Sequence, residues 1–198
     1  MSIAATKHTP SSDVVIGRLF TIADVECLPK RLPSGDVDYE LNNGRLIIVS
    51  PPGRRHSKVH NRISAFLSPI EDAGLGEAFT EVGVVLWRDP DTLVGADAAF
   101  VARDRCPVRE TKEGYLETIP NLAIEIRSKN DSLAELKDKA ANYLEAGVDV
   151  VWVIDAIANN AIVYRRDQLP LIIPEGGVLA EPALLGQHEL RLAHLFRP

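Results

Sequence analysis

Three things are scarce in this chain. Cysteine is one: only Cys27 and Cys106 occur, far apart and without metal-ligand spacing. That argues against a cysteine-based metal cluster, and neither residue lies in a nucleophile motif. In a reducing compartment both read as free thiols. Long apolar runs are a second absence: none approaches the roughly 20 residues that cross a bilayer. Met1–Ser12 is polar and lacks the basic-then-apolar order of a signal peptide, so the expected location is the cytoplasm and residues 1–12 read as a disordered lead-in. Excess positive charge is the third. The net charge of -6 excludes a generally basic, nucleic-acid-coating surface. It still permits a basic cleft on an acidic body, or a divalent cation that supplies positive charge. Internal repeats and low-complexity tracts are also absent.

What is present fits one globular domain over residues 13–198, long enough to bury a full core. Thr21 can cap a short helix with Asp24 at its third position; residues 13–38 read as an arm packing on the domain. Asn43-Gly44 sits between two strand-like runs and predicts a tight hairpin. A helix over His56–Ala73, bent or broken at Pro69, places Val59, Ile63, Phe66, Leu67 and Ile70 on one apolar face. His56 falls on the same side, either as a core or capping histidine or aimed into a cleft. Arg54, Arg55, Lys58, His60 and Arg62 form the densest basic patch, either a solvated face or a set of phosphate contacts.

Strands follow at Glu77–Trp87, Gly95–Val101 and Leu122–Ser128, with 104–118 read as a surface loop. A helix opened by Asn130-Asp-Ser132 carries the stripe Leu133, Leu136, Ala140, Tyr143 and Leu144 and stops at Gly147. Val148–Ile154 is apolar enough for a strand covered on both faces, and Ala161–Tyr164 is its expected hairpin partner. The fold class is therefore mixed α/β, a central sheet flanked by helices.

Two strands carry an acid amid apolar residues. Alternation along a strand puts Glu125 and Arg127 on one face of Leu122–Ser128. Asp97 shares a face with Ala99 and Val101. A buried carboxylate needs a partner. Two on neighbouring strands can share a divalent cation such as Mg²⁺, or each can pair with Arg127 or a lysine. Glu40, in the first arm of the hairpin, reads by itself as a solvated edge residue.

These residues also carry a resemblance. Tyr39-Glu-Leu-Asn-Asn-Gly-Arg-Leu46 is similar to an opening "YEL-x-x-G-x-L", and Ser50-Pro-Pro followed by His56 resembles the next motif. Ala96-Asp97 stands at a Pro-Asp position. Pro120 to Ser128 resembles "P-x-L-x-x-E-V-L-S", Lys139 to Val148 resembles "K-x-x-x-Y-x-x-A-G-V", and Val151 to Asp155 resembles "YW-x-V-D". In that order they resemble the Uma-two family of predicted bacterial endonucleases, within the PD-(D/E)XK restriction-endonuclease-like superfamily.

The resemblance implies a restriction-endonuclease-like core and a Mg²⁺- or Mn²⁺-dependent endonuclease acting on DNA. Asp97 and Glu125 would hold the metal, with Glu40 as an acidic contact nearby. Lys139 would orient water or stabilise charge on the phosphate. His56, Arg55, Lys58 and Arg127 are substrate-binding candidates, and a homodimer is implied by analogy with nucleases that cut both strands. Helical geometry leaves Lys137 and Lys139 open; the motif order favours Lys139. Arg127 either clamps a phosphate or pairs with Glu125 and displaces the metal. The second outcome would leave a non-catalytic nucleic-acid-binding or assembly module. A hydrolase of another phosphoester is a further alternative.

Overall fold

A computed structural model describes residues 18–33, 35–49, 51–106 and 114–197. The expected lead-in, 1–12, lies outside them. In chain order the elements are α1 (Ile22–Glu26), β1 (Arg31–Leu32), β2 (Gly35–Asp36), β3 (Asp38–Asn42), β4 (Arg45–Val49), α2 (Arg54–Asp72), β5 (Gly76–Trp87) and β6 (Thr92–Ala102). There follow β7 (Leu122–Ile126), α3 (Leu133–Ala146), β8 (Val150–Asp155), β9 (Asn160–Arg165), β10 (Leu171–Pro174), β11 (Val178–Ala180), α4 (Pro182–Leu185), β12 (Glu189–Arg191) and α5 (Leu192–Leu195).

Local chemistry accounts for the joints. Asn43 and Gly44 both adopt positive φ, 50° and 73°, as a two-residue turn between β3 and β4 requires. Thr21 and Asp24 form a reciprocal capping box on α1, as Ser132 and Glu135 do on α3. Gly147 closes α3 in the left-handed region at φ 110°, where a side chain would be strained. Of the expected bend or break at Pro69, the break does not occur: α2 runs to Asp72 with Pro69 in its last turn, where the one backbone bond forgone is that to the Ala65 carbonyl.

The main sheet has eight strands, in the order β10-β9-β8-β7-β6-β3-β4, with β5 also paired to β6. Only β7 and β8 are parallel, joined by the α3 crossover. On one face Val59, Ile63, Leu67 and Ile70 of α2 pack on Ile124, Ile126, Trp152 and Ile154, helped by Leu185 and Leu195 of α4 and α5. On the other, Leu136, Ala140 and Tyr143 of α3 pack on Ala99, Ala123, Val151 and Val153. A third cluster seats Ile22 and Val25 of α1 against Tyr39, Leu41 and Leu93. The mixed α/β architecture expected from the sequence is the one observed. The segment read as a surface loop is corrected at its end: Leu116 is buried and bridges Val84, because it completes the apolar cluster under α3. No described helix is long and apolar enough to cross a membrane.

The position of the site follows from β6. One edge of β6 is laddered to β5. The other meets β3 at Leu93, opposite Leu41, and meets β7 at Ala98, Ala99 and Phe100. Between these pairings β3 and β7 diverge, and residues 94–97 face a fork in the sheet.

Candidate active site

A fork leaves backbone donors and acceptors that no ladder satisfies, and such groups require partners when buried. Here side chains supply them. The Gly95 N–H donates to Glu40 Oε1 at 2.8 Å, and the Ile126 N–H donates to Asp97 Oδ2 at 2.6 Å. The Gly95 carbonyl accepts from Lys139 Nζ at 2.7 Å, and the Asp97 carbonyl lies 3.0 Å from His60 Nε2. A side chain at position 95 would crowd this point, since a Cβ there would lie 3.2 Å from Glu40 Oε1.

Alternation places Glu125 on the α3 face of β7, inside the apolar cluster, where it is 4% exposed. It is fully partnered. Tyr143 donates its hydroxyl to Glu125 Oε1 at 2.7 Å, and Lys139 Nζ lies 3.0 Å from Oε2. Lys139 and Tyr143 are one turn apart on α3, so one helix face delivers both. Lys139 also pairs with Glu40 at 3.0 Å. Burial pushes the Glu125 carboxyl up to about 8; the charges of Asp97 and Glu40 add to the push, while Lys139 and Tyr143 oppose it. Burial acts to lower Lys139, but Glu125 and Glu40 outweigh it and hold the ammonium above the ordinary lysine value. Lys139 is therefore a fixed positive charge.

Asp97 is approached from the opposite helix. His56, in the first turn of α2, sets Nε2 3.0 Å from Asp97 Oδ1. Burial acts to lower the imidazole, but Asp97 outweighs it and the net shift is upward. His56 stacks on His60, one turn on, with ring centroids 6.5 Å apart. The His56 Nδ1 is buried and has no hydrogen-bond partner among the described residues.

The structure thus brings together Glu40, Asp97, Glu125, Lys139 and His56. It separates Lys137, which is exposed, from Lys139, because Leu136, Ala140 and Tyr143 fix the rotation of α3. Arg127 does not pair with Glu125. Its Nη1 donates to buried Asp155 at 2.8 Å and its Nε to the Asp131 carbonyl at 3.2 Å. Arg55 reaches Asn159 Oδ1 at 2.6 Å, and Lys58 is exposed on α2. Sequence reasoning assigned Tyr143 to the apolar stripe and counted His60 among surface cations. The signal for Tyr143 was its place four residues after Lys139; His60 stands likewise four after His56.

The donor chemistry suits a hard divalent cation. Two carboxylates, Glu40 and Glu125, pair with the Lys139 ammonium; burial is the main cause of the high proton affinity of Glu125, and the nearby charges of Asp97 and Glu40 add to it. No group of three or more His, Cys, Asp or Glu among the described residues is arranged to hold a metal ion. Mg²⁺ takes oxygen ligands and keeps most of its waters; Asp97 and Glu125 offer carboxylate oxygens of that kind, each now engaged by protein groups.

A mixed sheet flanked by helices on both faces places the molecule in the mixed α/β class. A solved structure described as "a putative nuclease belonging to DUF820 from Anabaena variabilis ATCC 29413" has this fold, with a TM-score of 0.74 at 22% identity over 89% of this chain and 97% of that one. The Uma2 family model, described as "Putative restriction endonuclease", matches residues 23–193, and the chain belongs to that family. No curated protein matches.

Proposed function

We propose that the protein is a metal-dependent endonuclease that hydrolyses DNA phosphodiester bonds at the β6 fork. The observation that carries this reading is that Glu40 and Glu125 meet on the Lys139 ammonium where β3 and β7 part, with Asp97 held at the same fork by His56 and the Ile126 N–H. Asp97 and Glu125 would hold Mg²⁺ or Mn²⁺, which when bound supplies the Lewis acid that activates water and offsets phosphate charge.

The protein's own groups do the rest. Lys139 places a permanent positive charge where the phosphate gains negative charge, a preorganised electrostatic contribution. Glu40 holds that ammonium in place, Tyr143 fixes one oxygen of Glu125, and His56 with the Ile126 N–H fixes Asp97. A water oxygen joins phosphorus and gives up a proton to solvent, the P–O bond to the leaving sugar breaks, and the departing oxygen takes up a proton from solvent, so that one water is added in all.

The test is cleavage of supercoiled plasmid and of single-stranded DNA with Mg²⁺ or Mn²⁺, beside Asp97→Ala and Glu125→Ala. Metal-dependent cutting that both substitutions reduce to background is expected. Cutting that survives both, or none from correctly folded wild type, sinks the reading. The non-catalytic alternative had Arg127 neutralising Glu125; Arg127 pairs with Asp155 instead, and that alternative is favoured by folded protein that neither binds metal nor cuts.

A further inference from the structure

Beside the fork, α2 forms one wall of a groove of about 310 Å³ closed on the other side by the chain's C-terminal residues. Its rim is cationic: Arg54, Arg55, Lys58 and Arg62 from α2, and Arg197 from beyond α5. Its floor is apolar, made of Val59, Leu195 and Phe196. Among the described residues no acid lines it, in a chain with a net charge of -6. Arg62 is spent on the carbonyls of Leu195 and Arg197, which tie the C-terminal segment to α2. Arg54, Lys58 and the Arg197 guanidinium make no ion pair or side-chain hydrogen bond with a described residue. A second hollow of about 280 Å³ shares Arg62 and Leu195 with the first. It adds Arg191 and His194, with Glu189 as its one acid. The two together run along the helix.

We infer that this groove seats a single-stranded stretch of the nucleic-acid substrate, with phosphates on the Arg54, Lys58 and Arg197 rim and a base on Phe196. The inference rests on the nuclease reading and names the form of substrate it takes. The groove and the fork share one helix: Arg55, which lines the groove, directly precedes His56, which holds Asp97, and the two side chains leave α2 about 100° apart. From Arg54 to Arg62 the helix advances ~12 Å, about three nucleotides of a stacked strand. An apolar floor under a cationic rim matches an unpaired nucleotide, which offers a base face and a phosphate together. A duplex conceals its base faces and would need the rim alone.

The test is fluorescence anisotropy of the full chain in EDTA with a short labelled oligodeoxynucleotide, its duplex, an abasic version and polyglutamate. The single strand should bind best. The Arg54→Glu/Lys58→Glu protein should weaken binding on the order of tenfold or more and flatten its salt dependence. Phe196→Ala should weaken it on the order of tenfold and abolish the preference over the abasic strand. Phe196→Tyr, which keeps the aromatic face, should retain both properties, so a loss through misfolding is distinguished. The inference is overturned by equal binding of duplex, by indifference to Phe196, by absence of binding, or by polyglutamate competing as well as the oligonucleotide (an acidic protein segment as occupant). Absence of metal-dependent cleavage alongside the expected binding would overturn the nuclease reading and not the groove.

Discussion

The interior of the fork and the groove outside α2 treat charge in opposite ways. Inside, Glu40, Glu125 and Lys139 are locked in one network and Asp97 is bonded through both oxygens. In the groove, cations of one sign gather with no acid among them. Burial enforces the first arrangement, since an unpaired buried charge is costly. Water and salt permit the second, since exposed charges are screened over about a Debye length. Fixed geometry therefore belongs to the interior, and salt-sensitive affinity belongs to the rim.

That contrast can be broken most severely at Lys139. Lys139→Met should slow cleavage by about 10²–10³-fold and destabilise the fold by about 3–5 kcal/mol, because Glu125 and Glu40 lose their counter-charge. Turnover and denaturant midpoints measure the two effects. A double variant with Glu125→Gln should recover most of the stability and none of the activity; recovered activity would show that the ammonium has no part in the chemistry.

Tyr143→Phe leaves one oxygen of a buried carboxylate without its donor and should cost about 1–3 kcal/mol, read from the same denaturation curves. Unchanged stability would remove Tyr143 from the network.

The pH response sharpens the comparison further. The unfolded chain releases the Glu125 proton near 4.5, whereas the folded protein keeps it to about 8. The stability contributed by this group is therefore complete below about 4.5 and declines as pH rises toward 8. Urea midpoints across that window should show a slope that Glu125→Gln lacks, and added Mg²⁺ should lessen it because binding expels the proton. An identical slope in the variant would assign it elsewhere. The smallest effect belongs to the rim: Arg54→Ala should leave the unfolding midpoint where it was while weakening oligonucleotide binding, most visibly at low salt.

The parts of the fold legible in the sequence were those fixed by neighbours in the chain. Asn43-Gly44, Ser132 with Glu135, and Gly147 each declare a joint through local backbone chemistry. Glu125 was legible because strand alternation turns it inward. The choice between Lys137 and Lys139 depends on how α3 is rotated against the sheet, which its own periodicity leaves open. Arg127 and Asp155 meet because β7 and β8 run parallel with Ile126 opposite Ile154, a register that no short segment encodes. The fork itself was invisible, because it depends on where β3 and β7, 80 residues apart at their nearest ends, leave the edge of β6. The place of Phe196 was equally hidden, set by Arg62 drawing the tail onto α2.

The inner network is local only in part. Glu125, Lys139 and Tyr143 belong to one strand–helix unit, while Glu40 joins Lys139 across 99 positions of chain. Closing that span is an entropic step that local contacts cannot replace. The assembly therefore has a natural order: the strand–helix unit can form early, and the completed network must wait for the hairpin to dock. The Gly95 amide, bonded to Glu40, marks that last event. Its hydrogen-exchange protection during refolding should appear after that of the α3 amides, so that the interval in which the chain is compact but without a finished site becomes a measurable time.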